Sequence, residues 1–264
     1  MRIALFVKDD EKSRQARKLI EEKLQNRGHI FRDNSDCDLA LAVGGDGTFL
    51  RMVKECNFSS NIMYVGINSG TLGFLEEIKI EEMDDFLDEL ENGYYKTENI
   101  GIQKTIVYHA NGISTFYSFN EIVIRRENLK LLKADVLIDG NLLEHFVGDG
   151  LLISTSQGST AYNLSYGGSI VMDTCPTLQI TPMAPISTKA YHSLPNSVIV
   201  GRDKIITVCS HEKEKDFILT IDGENIHFEG VERIETCIAN QKITCMRLSH
   251  HNFPQKIYEK LLSN

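Results

Sequence analysis

Residues 39–48, with the sequence Leu-Ala-Leu-Ala-Val-Gly-Gly-Asp-Gly-Thr, decide the fold of the first part of the chain. The five apolar residues at the start are typical of a short strand buried inside a sheet. The glycines break that strand, and a helical pattern begins at Thr48 and continues to Glu55. In an open α/β sheet, ligands bind at the carboxyl ends of strands like this one. The stretch therefore predicts both a sheet and a binding loop.

The segments on either side alternate between strand and helix patterns. Residues 2–7 and 62–67 have the composition of strands, whereas residues 12–27 carry apolar side chains at helical spacing. Residues 83–90 form one more apolar helix face. This alternation predicts an α/β domain over residues 1–98, an open parallel sheet with helices on its faces.

The pattern changes from about residue 100. Turn signals at Asn111-Gly112, Asp139-Gly140 and Asp222-Gly223 lie between β-branched or aromatic segments, which is typical of hairpins. The sequence therefore predicts an all-β, sandwich-like domain over residues 99–248.

The last residues, 249–264, are predicted to form a tail that contains a short helix. Ile257, Leu261 and Leu262 recur at helical spacing and are too apolar for a free end. We expect this tail to pack on the first domain through those three side chains.

Charge and composition exclude several classes of protein. The 264 residues carry a net charge of −9, and residues 76–91 alone contain nine acids and one base. That acidic run is predicted to be the solvated face of a helix. No cluster of Lys or Arg supports binding to nucleic acid.

Neither a membrane partner nor export is expected. The longest apolar runs have five residues, against about 20 for a membrane span and about 7–15 for the core of a signal peptide. The six cysteines lack zinc-site spacing, so reduced, buried thiols are expected. The sequence predicts a soluble cytoplasmic protein.

Asp46 is the strongest candidate for chemistry, because it stands within the glycine turn that follows a strand. Consecutive backbone amides and a helix N-terminus attract phosphate, which a carboxylate would repel unless it met a hydroxyl or a metal ion. Asp46 is therefore a candidate general base or magnesium ligand in phosphoryl transfer. The alternative is that Asp46 only caps the following helix.

Three further groups are suited to a polar ligand. Asn120-Glu121 follows an aromatic strand, and Gly148-Asp149-Gly150 separates two strands. Residues 154–162 are rich in small hydroxyl side chains, and Tyr162 could stack on a base. Each group also has a structural interpretation, as a strand end, a plain turn or a surface loop.

Taken together, these motifs resemble the bacterial type of NAD kinase. The likeness includes residues 44–48, 120–121, 148–150 and 155–162 with Ser165, and it extends through residues 66–73 and 182–185. The glycine-aspartate block alone is shared with diacylglycerol and sphingosine kinases, whereas the later blocks are specific. The resemblance implies an α/β domain, a β-sandwich domain and a C-terminal segment that returns to the first.

The resemblance also implies a reaction. NAD kinases phosphorylate the adenosine 2′-hydroxyl of NAD with ATP, or in some bacteria with inorganic polyphosphate, using a divalent metal such as Mg²⁺. Homodimers or homotetramers are implied as the assembly.

Residue roles follow by matching positions. Asp46 resembles the proton acceptor that faces the 2′-hydroxyl, with Gly45 and Gly47 beside it, and Asn120 and Glu121 resemble the pair that holds adenosine. The remaining contacts of NAD are implied for small or polar residues: Asp149, Thr160, Ala161, Tyr162 and Ser165, with Ala184 nearby.

Two departures from the family pattern leave the contacts on the nicotinamide side open. Val147 stands where many relatives have a polar residue, and Glu224 follows the Asp222-Gly223 turn near a position where some carry Gln or His. Two alternative functions also stay open: a lipid kinase built on the same glycine-aspartate loop, and a catalytically silent NAD(P)-binding module.

Overall fold

The computed structural model describes residues 1–32, 36–70, 73–127, 130–210 and 216–263. The chain divides into two compact units. The first unit comprises residues 1–100 with 241–264, and the second comprises residues 101–240. In the part of the chain that the structure describes, no helix combines the length and apolar character needed to cross a membrane.

The elements follow in chain order. Those up to residue 92 are β1 (Arg2–Val7), α1 (Glu11–Asn26), β2 (Ile30–Arg32), β3 (Leu39–Gly44), α2 (Asp46–Glu55), β4 (Met63–Asn68), β5 (Glu76–Lys79) and α3 (Met83–Asn92). Those that follow are β6 (Lys96–His109), β7 (Gly112–Ser118), β8 (Glu121–Arg126), β9 (Leu132–Ile138), β10 (Asn141–Gly148), β11 (Gly150–Thr155), α4 (Tyr162–Ser165), β12 (Thr177–Met183), β13 (Val198–Gly201), β14 (Ile206–Ser210), β15 (Phe217–Ile221), β16 (Glu224–Phe228), β17 (Arg233–Arg247) and α5 (Phe253–Leu261).

The first unit is built on a parallel sheet, as the alternating pattern predicted. Its strand order is β2-β1-β3-β4, and both β5 and the end of β17 run parallel to β4. All six residues of β3 are buried, which explains its continuous apolar sequence. Apolar faces of α1 and α3, including Ile20, Leu24 and Phe86, complete the core. The glycine-aspartate turn thus lies at the carboxyl end of a central strand.

The second unit is a β-sandwich, which confirms the predicted fold class. One of its sheets has the order β13-β12-β11-β8-β15-β16, and the other contains β10-β9-β14 with the first part of β17. The hairpins β6–β7, β9–β10 and β15–β16 form at the three predicted Asx-Gly turns. Side chains from both sheets, such as Ile122, Leu151, Val136 and Phe146, share one core.

The division of the chain differs from the predicted boundaries at 98 and 248. It falls at residues 100 and 240, within the long strands β6 and β17. The second boundary comes earlier because Thr244 and Cys245 pair with β4, so the end of β17 belongs to the parallel sheet. Residues 241–264 all lie in the first unit.

The prediction for the acidic run is wrong at its beginning. Helix α3 does present an acidic outer face, but Glu76 and Glu77 lie on β5 and are buried. Charge counting detected the run, yet it could not detect that its first two members point into the first unit.

The expected packing of the tail is also wrong in its details. Helix α5 forms, with its N-terminus capped by Asn252, but Ile257 is only half-buried. Leu261 and Leu262 are 41% and 69% exposed. Polar contacts, described below, hold this helix instead.

The six cysteines, all among the described residues, form no disulfide, but only half of them are buried as expected. Cys175 is exposed in a turn, and Cys209 and Cys237 lie half-buried on strands. Strand side chains alternate between faces, so a small apolar residue there need not reach the core.

Candidate active site

Asp46 is the first residue of α2, directly after the N-cap residue Gly45. Its carboxylate does not simply cap the helix. It accepts hydrogen bonds from the backbone amides of Phe74, at 3.2 Å, and Leu75, at 2.8 Å. Charge-assisted bonds of this kind are stronger than neutral ones, so these two donors, which directly precede β5, fix the orientation of the carboxylate.

A cavity of about 310 Å³ opens beside this turn. It is lined by residues 45–48 together with Lys8 and Arg51. The backbone amide of Lys8 bonds to Val43 at the end of β3, and the Arg51 guanidinium donates to the carbonyl of Val7 at 2.8 Å. Two cationic side chains, Arg51 and Lys8, the latter paired with Asp10, line this cavity together with a helix N-terminus and the Asp46 carboxylate. Cations and a helix N-terminus attract phosphate groups.

Glu76 is a second carboxyl group at this site, and sequence analysis missed it. It is 1% exposed, and within the described ranges neither of its oxygens meets a donor with hydrogen-bond geometry. A Cβ atom on Gly73 would lie 2.0 Å from Glu76 Oε2 and 2.2 Å from Asp46 Oδ1. Both carboxyl groups thus pack on the same residue, which has to be glycine.

The contact between the two carboxyl groups has an electrostatic consequence. Burial, and then the charge of Asp46, raise the pKa of Glu76 to about 8. Two adjacent carboxylates cannot both ionise cheaply in a buried site, so Glu76 holds a proton at neutral pH. A protonated Glu76 can donate a hydrogen bond to Asp46.

In the second unit, Asn120 and Glu121 lie where the aromatic strand β7 turns into β8. Both are buried, yet Asn120 Oδ1 and Glu121 Oε2 have no hydrogen-bond partner among the described residues. Unpaired buried polar atoms are unfavourable unless a ligand or water satisfies them. This is the strongest structural sign of a binding site in the second unit.

Asp222 holds this turn in place and is another residue that sequence analysis passed over. Its carboxylate accepts hydrogen bonds from the amides of Phe119, Asn120 and Glu121, at 2.7–3.1 Å. Burial, and then the charge of Asp222, raise the pKa of the Glu121 carboxyl to about 8. Only its position in an Asp-Gly turn marked Asp222 in the sequence.

The hydroxyl-rich segment packs on the same turn. The amide of Thr155 donates to the carbonyl of Asn120 at 2.8 Å, and its hydroxyl donates to the carbonyl of Phe119 at 2.7 Å. A Cβ on Gly158 would lie 2.2 Å from the carbonyl oxygen of Asn120, so this close approach requires glycine. A 3₁₀ turn at Gln157–Thr160 and helix α4 follow.

Other predicted residues form two neighbouring groups in the second unit. The amide of Asp149 donates to the carbonyl of Met183 at 2.9 Å, which brings Asp149 close to Ala184, a residue with a φ of +44°. Tyr162 is exposed, and its hydroxyl accepts a hydrogen bond from Arg125 at 2.9 Å. Arg125 is opposite Gly150 in the register of β8 and β11.

The remaining predicted residues differ in exposure. Thr160 and Ala161 are half-buried, Ser165 is exposed at the end of α4, and Gly47 is exposed in α2. Of the segment at residues 66–73, Thr71 and Leu72 lie outside the described residues.

Comparison with known proteins identifies the family of the chain. Residues 5–95 match the family model of the ATP-NAD kinase N-terminal domain, and residues 119–247 match that of the ATP-NAD kinase C-terminal domain. The chain is similar to the NAD kinase of Finegoldia magna, with 37% identity over 91% of this chain and 90% of the relative. It is also similar to NAD kinase 2 of Bacillus subtilis, with 30% identity over 96% and 95%.

Solved structures share the fold. A yeast NADH kinase complexed with NADH superposes with a TM-score of 0.86 and 20% identity, covering 100% of this chain and 89% of the other. An Archaeoglobus fulgidus NAD kinase in complex with ATP gives a TM-score of 0.76 and 22% identity, covering 98% of each chain. Because family models match both parts of the chain and relatives of 30% and 37% identity cover more than nine-tenths of it, the chain belongs to the NAD kinase family of phosphotransferases.

Proposed function

We propose that this chain transfers a phosphoryl group from ATP, or from inorganic polyphosphate, to the adenosine 2′-hydroxyl of NAD, which yields NADP. The observation that carries the proposal is the Asp46 carboxylate, held by two backbone amides and lining a cavity with Lys8 and Arg51. A carboxylate among phosphate-binding groups suits a proton acceptor for an attacking hydroxyl.

The chemistry needs one proton transfer and one phosphoryl transfer. Asp46 takes the proton from the 2′-hydroxyl as the 2′-oxygen attacks the terminal phosphorus of the donor. The bond between that phosphorus and the rest of the donor breaks, and the remaining phosphates leave with the donor. A well-placed general base contributes about 10²–10⁴-fold to the rate. The amides of the turn at Gly45 and Gly47, with the charges of Lys8 and Arg51, stabilise the donor phosphates.

The acceptor is held by residues of the second unit. Asn120 and Glu121 offer a carbonyl oxygen and a carboxyl oxygen that lack partners, and adenosine supplies hydroxyl and amine donors that match them. Asp149, Thr160, Ala161, Tyr162, Ser165 and Ala184 complete the proposed NAD contacts. The complexes of the two structural neighbours with NADH and with ATP support nucleotide substrates.

A divalent metal ion fits the cavity beside Asp46 if it is bound to the phosphates of the phosphoryl donor. That cavity has one carboxylate and two cations on its walls, which suits Mg²⁺ bound largely by substrate phosphates rather than by a protein cage. The turn at residues 45–47 would hold the phosphates that carry the ion. When bound, the ion would neutralise phosphate charge.

Assembly and location belong to the same proposal. We expect a homodimer or homotetramer in the cytoplasm. Size-exclusion chromatography with light scattering measures the assembly, and a strict monomer at micromolar concentration would contradict this part.

A coupled assay of ADP release tests the reaction. The enzyme is supplied with ATP and Mg²⁺ and, in separate reactions, with NAD, NADH or a diacylglycerol. We expect release of ADP with NAD and none with the lipid. Release with the diacylglycerol alone would indicate a lipid kinase, and release with none of the three would leave a silent nucleotide-binding module.

A further inference from the structure

The C-terminal helix α5 contacts the segment that orients Asp46. The two amides that bond to Asp46 belong to Phe74 and Leu75. The Phe74 ring lies 6.4 Å from the ring of Phe253, which is at the start of α5. Lys260 Nζ lies 5.4 Å from the centroid of the Phe74 ring. The side chain of Phe74, the first of the two donor residues, is therefore packed against the tail.

The residues that follow the two donors are held more firmly. Lys256 Nζ, from the middle of α5, donates to the carbonyl oxygen of Glu76 at 2.7 Å and to the Glu77 carboxylate at 3.1 Å. Lys256 is itself largely buried there, with 12% of its side chain exposed. One ammonium group thus bonds to the two residues that follow Leu75 in the chain.

Glu77 gathers further groups from the same C-terminal segment, and we call Glu77, Arg247, His251 and Lys256 the Glu77 cluster. The Glu77 carboxylate accepts hydrogen bonds from His251 Nδ1 at 2.9 Å and from the amide of Leu248 at 3.1 Å. The Arg247 guanidinium lies 3.5 Å away. A buried carboxylate with this many partners is rigid, and removing one partner leaves charge uncompensated.

The ionised state of Glu77 stabilises the Glu77 cluster. Burial opposes ionisation, but the hydrogen bond from His251 and the charges of Lys256 and Arg247 outweigh it and lower the pKa of Glu77 to about 2. The carboxylate therefore stays ionised at neutral pH. Its neighbour Glu76, which faces Asp46, has the opposite protonation state.

We propose that Lys256 is a positioning residue for the reaction: by holding the Glu76 carbonyl and the Glu77 carboxylate, it fixes the Phe74 and Leu75 amides at the Asp46 carboxylate. The inference rests on the proposed role of Asp46 as the base. A misplacement of about 1 Å in a catalytic group can lower the rate by about 10²-fold, so loss of this support reduces turnover without removing a substrate contact.

The test compares Lys256→Met with Lys18→Met, since Lys18 is an exposed lysine on α1 of the same unit. Both are assayed with saturating ATP and Mg²⁺ and with varied NAD, at a temperature where circular dichroism shows each variant folded. We expect Lys256→Met to lower kcat about tenfold or more. The KM for NAD should change less than about threefold, and Lys18→Met should match the wild type.

A cycle with Asp46→Asn separates positioning from general destabilisation. If Lys256 acts through Asp46, Lys256→Met causes no further loss in the residual turnover of Asp46→Asn. An equal loss of kcat in both backgrounds, or an unchanged kcat in the single variant, would overturn the inference. Near-normal turnover of Asp46→Asn alone would instead show that the base assignment fails.

A second variant keeps the test open if Lys256→Met does not fold. Glu77→Gln keeps a side-chain oxygen for the Leu248 amide but removes the anion that pairs with Lys256. We expect a loss in kcat of about threefold or more, again absent in the Asp46→Asn background. A Glu77→Gln enzyme with wild-type kcat would contradict the proposal.

Discussion

The Asp46 site and the Glu121 site contain the same pair of groups in opposite roles. Each has a buried glutamate with a pKa of about 8 next to an aspartate that accepts hydrogen bonds from backbone amides. In the first unit the amide-bonded aspartate, Asp46, lines the cavity. In the second unit the amide-bonded aspartate is Asp222, and the glutamate beside it, Glu121, is the proposed ligand contact. An unpaired oxygen is common to both glutamates among the described residues.

The difference shows how one arrangement serves two tasks. Amides that bond to Asp46 orient the carboxylate that we propose as the base. Amides that bond to Asp222 shape the turn that contains Asn120 and Glu121. The two sites also differ in what supports them. Asp222 bonds directly to the turn it shapes, but the donors of Asp46 depend on contacts with the C-terminal segment.

The largest expected effect distinguishes the two aspartates. Asp46→Asn is nearly isosteric and keeps one side-chain oxygen that can accept a hydrogen bond from the Leu75 amide. The side-chain amide of Asn cannot accept the hydroxyl proton, so turnover should fall by about 10² or more. NAD should still bind within about tenfold of wild type by calorimetry. Retention of most of the turnover would leave Asp46 with a structural role only, as the acceptor for the Phe74 and Leu75 amides.

The next largest effect concerns NAD binding at the Glu121 site in the second unit. Glu121→Ala should weaken NAD binding by about 10–100-fold, because a buried polar group of the ligand that loses its hydrogen-bond partner costs about 1–3 kcal/mol. The exposed Glu229→Ala is the matched control. Calorimetry checks the affinity, and a wild-type Kd for Glu121→Ala would show that adenosine is held elsewhere.

A smaller effect tests the two raised pKa values through stability. The folded protein holds a proton on Glu76 and on Glu121 up to about pH 8, whereas the unfolded chain releases these protons near its ordinary value of 4.5. Stability should therefore fall as the pH rises from 4.5 towards 8. Between pH 6 and 8 each group accounts for a loss of about 2 kcal/mol at most.

Urea unfolding of Glu76→Gln and Glu121→Gln measures this loss. Each variant should lose less stability than the wild type between pH 6 and 8, and the double variant should lose least, because the two sites are in separate units. Identical pH profiles in all four proteins would mean that neither glutamate holds its proton.

The sequence predicted the local parts of both sites and missed the long-range ones. A buried strand followed by Gly-Gly-Asp-Gly defines the Asp46 turn within a few residues, so pattern and spacing suffice. Glu76 is 30 positions further on in an acidic run, and nothing local shows that β5 places it on Gly73. Likewise Asp222 reaches Asn120 only because β15 pairs with β8.

The prediction that apolar side chains hold the tail failed for a related reason. Apolar periodicity in α5 correctly predicted a helix, but periodicity does not reveal which face is covered. The partner of α5 is a carboxylate on β5, and Lys256 rather than a leucine meets it. A lysine in an amphipathic pattern normally indicates the solvated face.

The smallest effect that we expect concerns Leu261 and Leu262, and it shows which contacts of the tail support the Asp46 site. Because Leu261 and Leu262 are exposed, replacing both with Ser should change stability by no more than about 0.5 kcal/mol, or about 1–2 °C in Tm. Deletion of residues 253–264 should lower Tm by several degrees, since it removes Lys256 from the buried Glu77 carboxylate. Thermal melts of the two proteins provide the comparison. A drop of several degrees in the double Ser variant would mean that apolar packing holds α5, and the Asp46 site would then depend on the tail through its leucines rather than through charge.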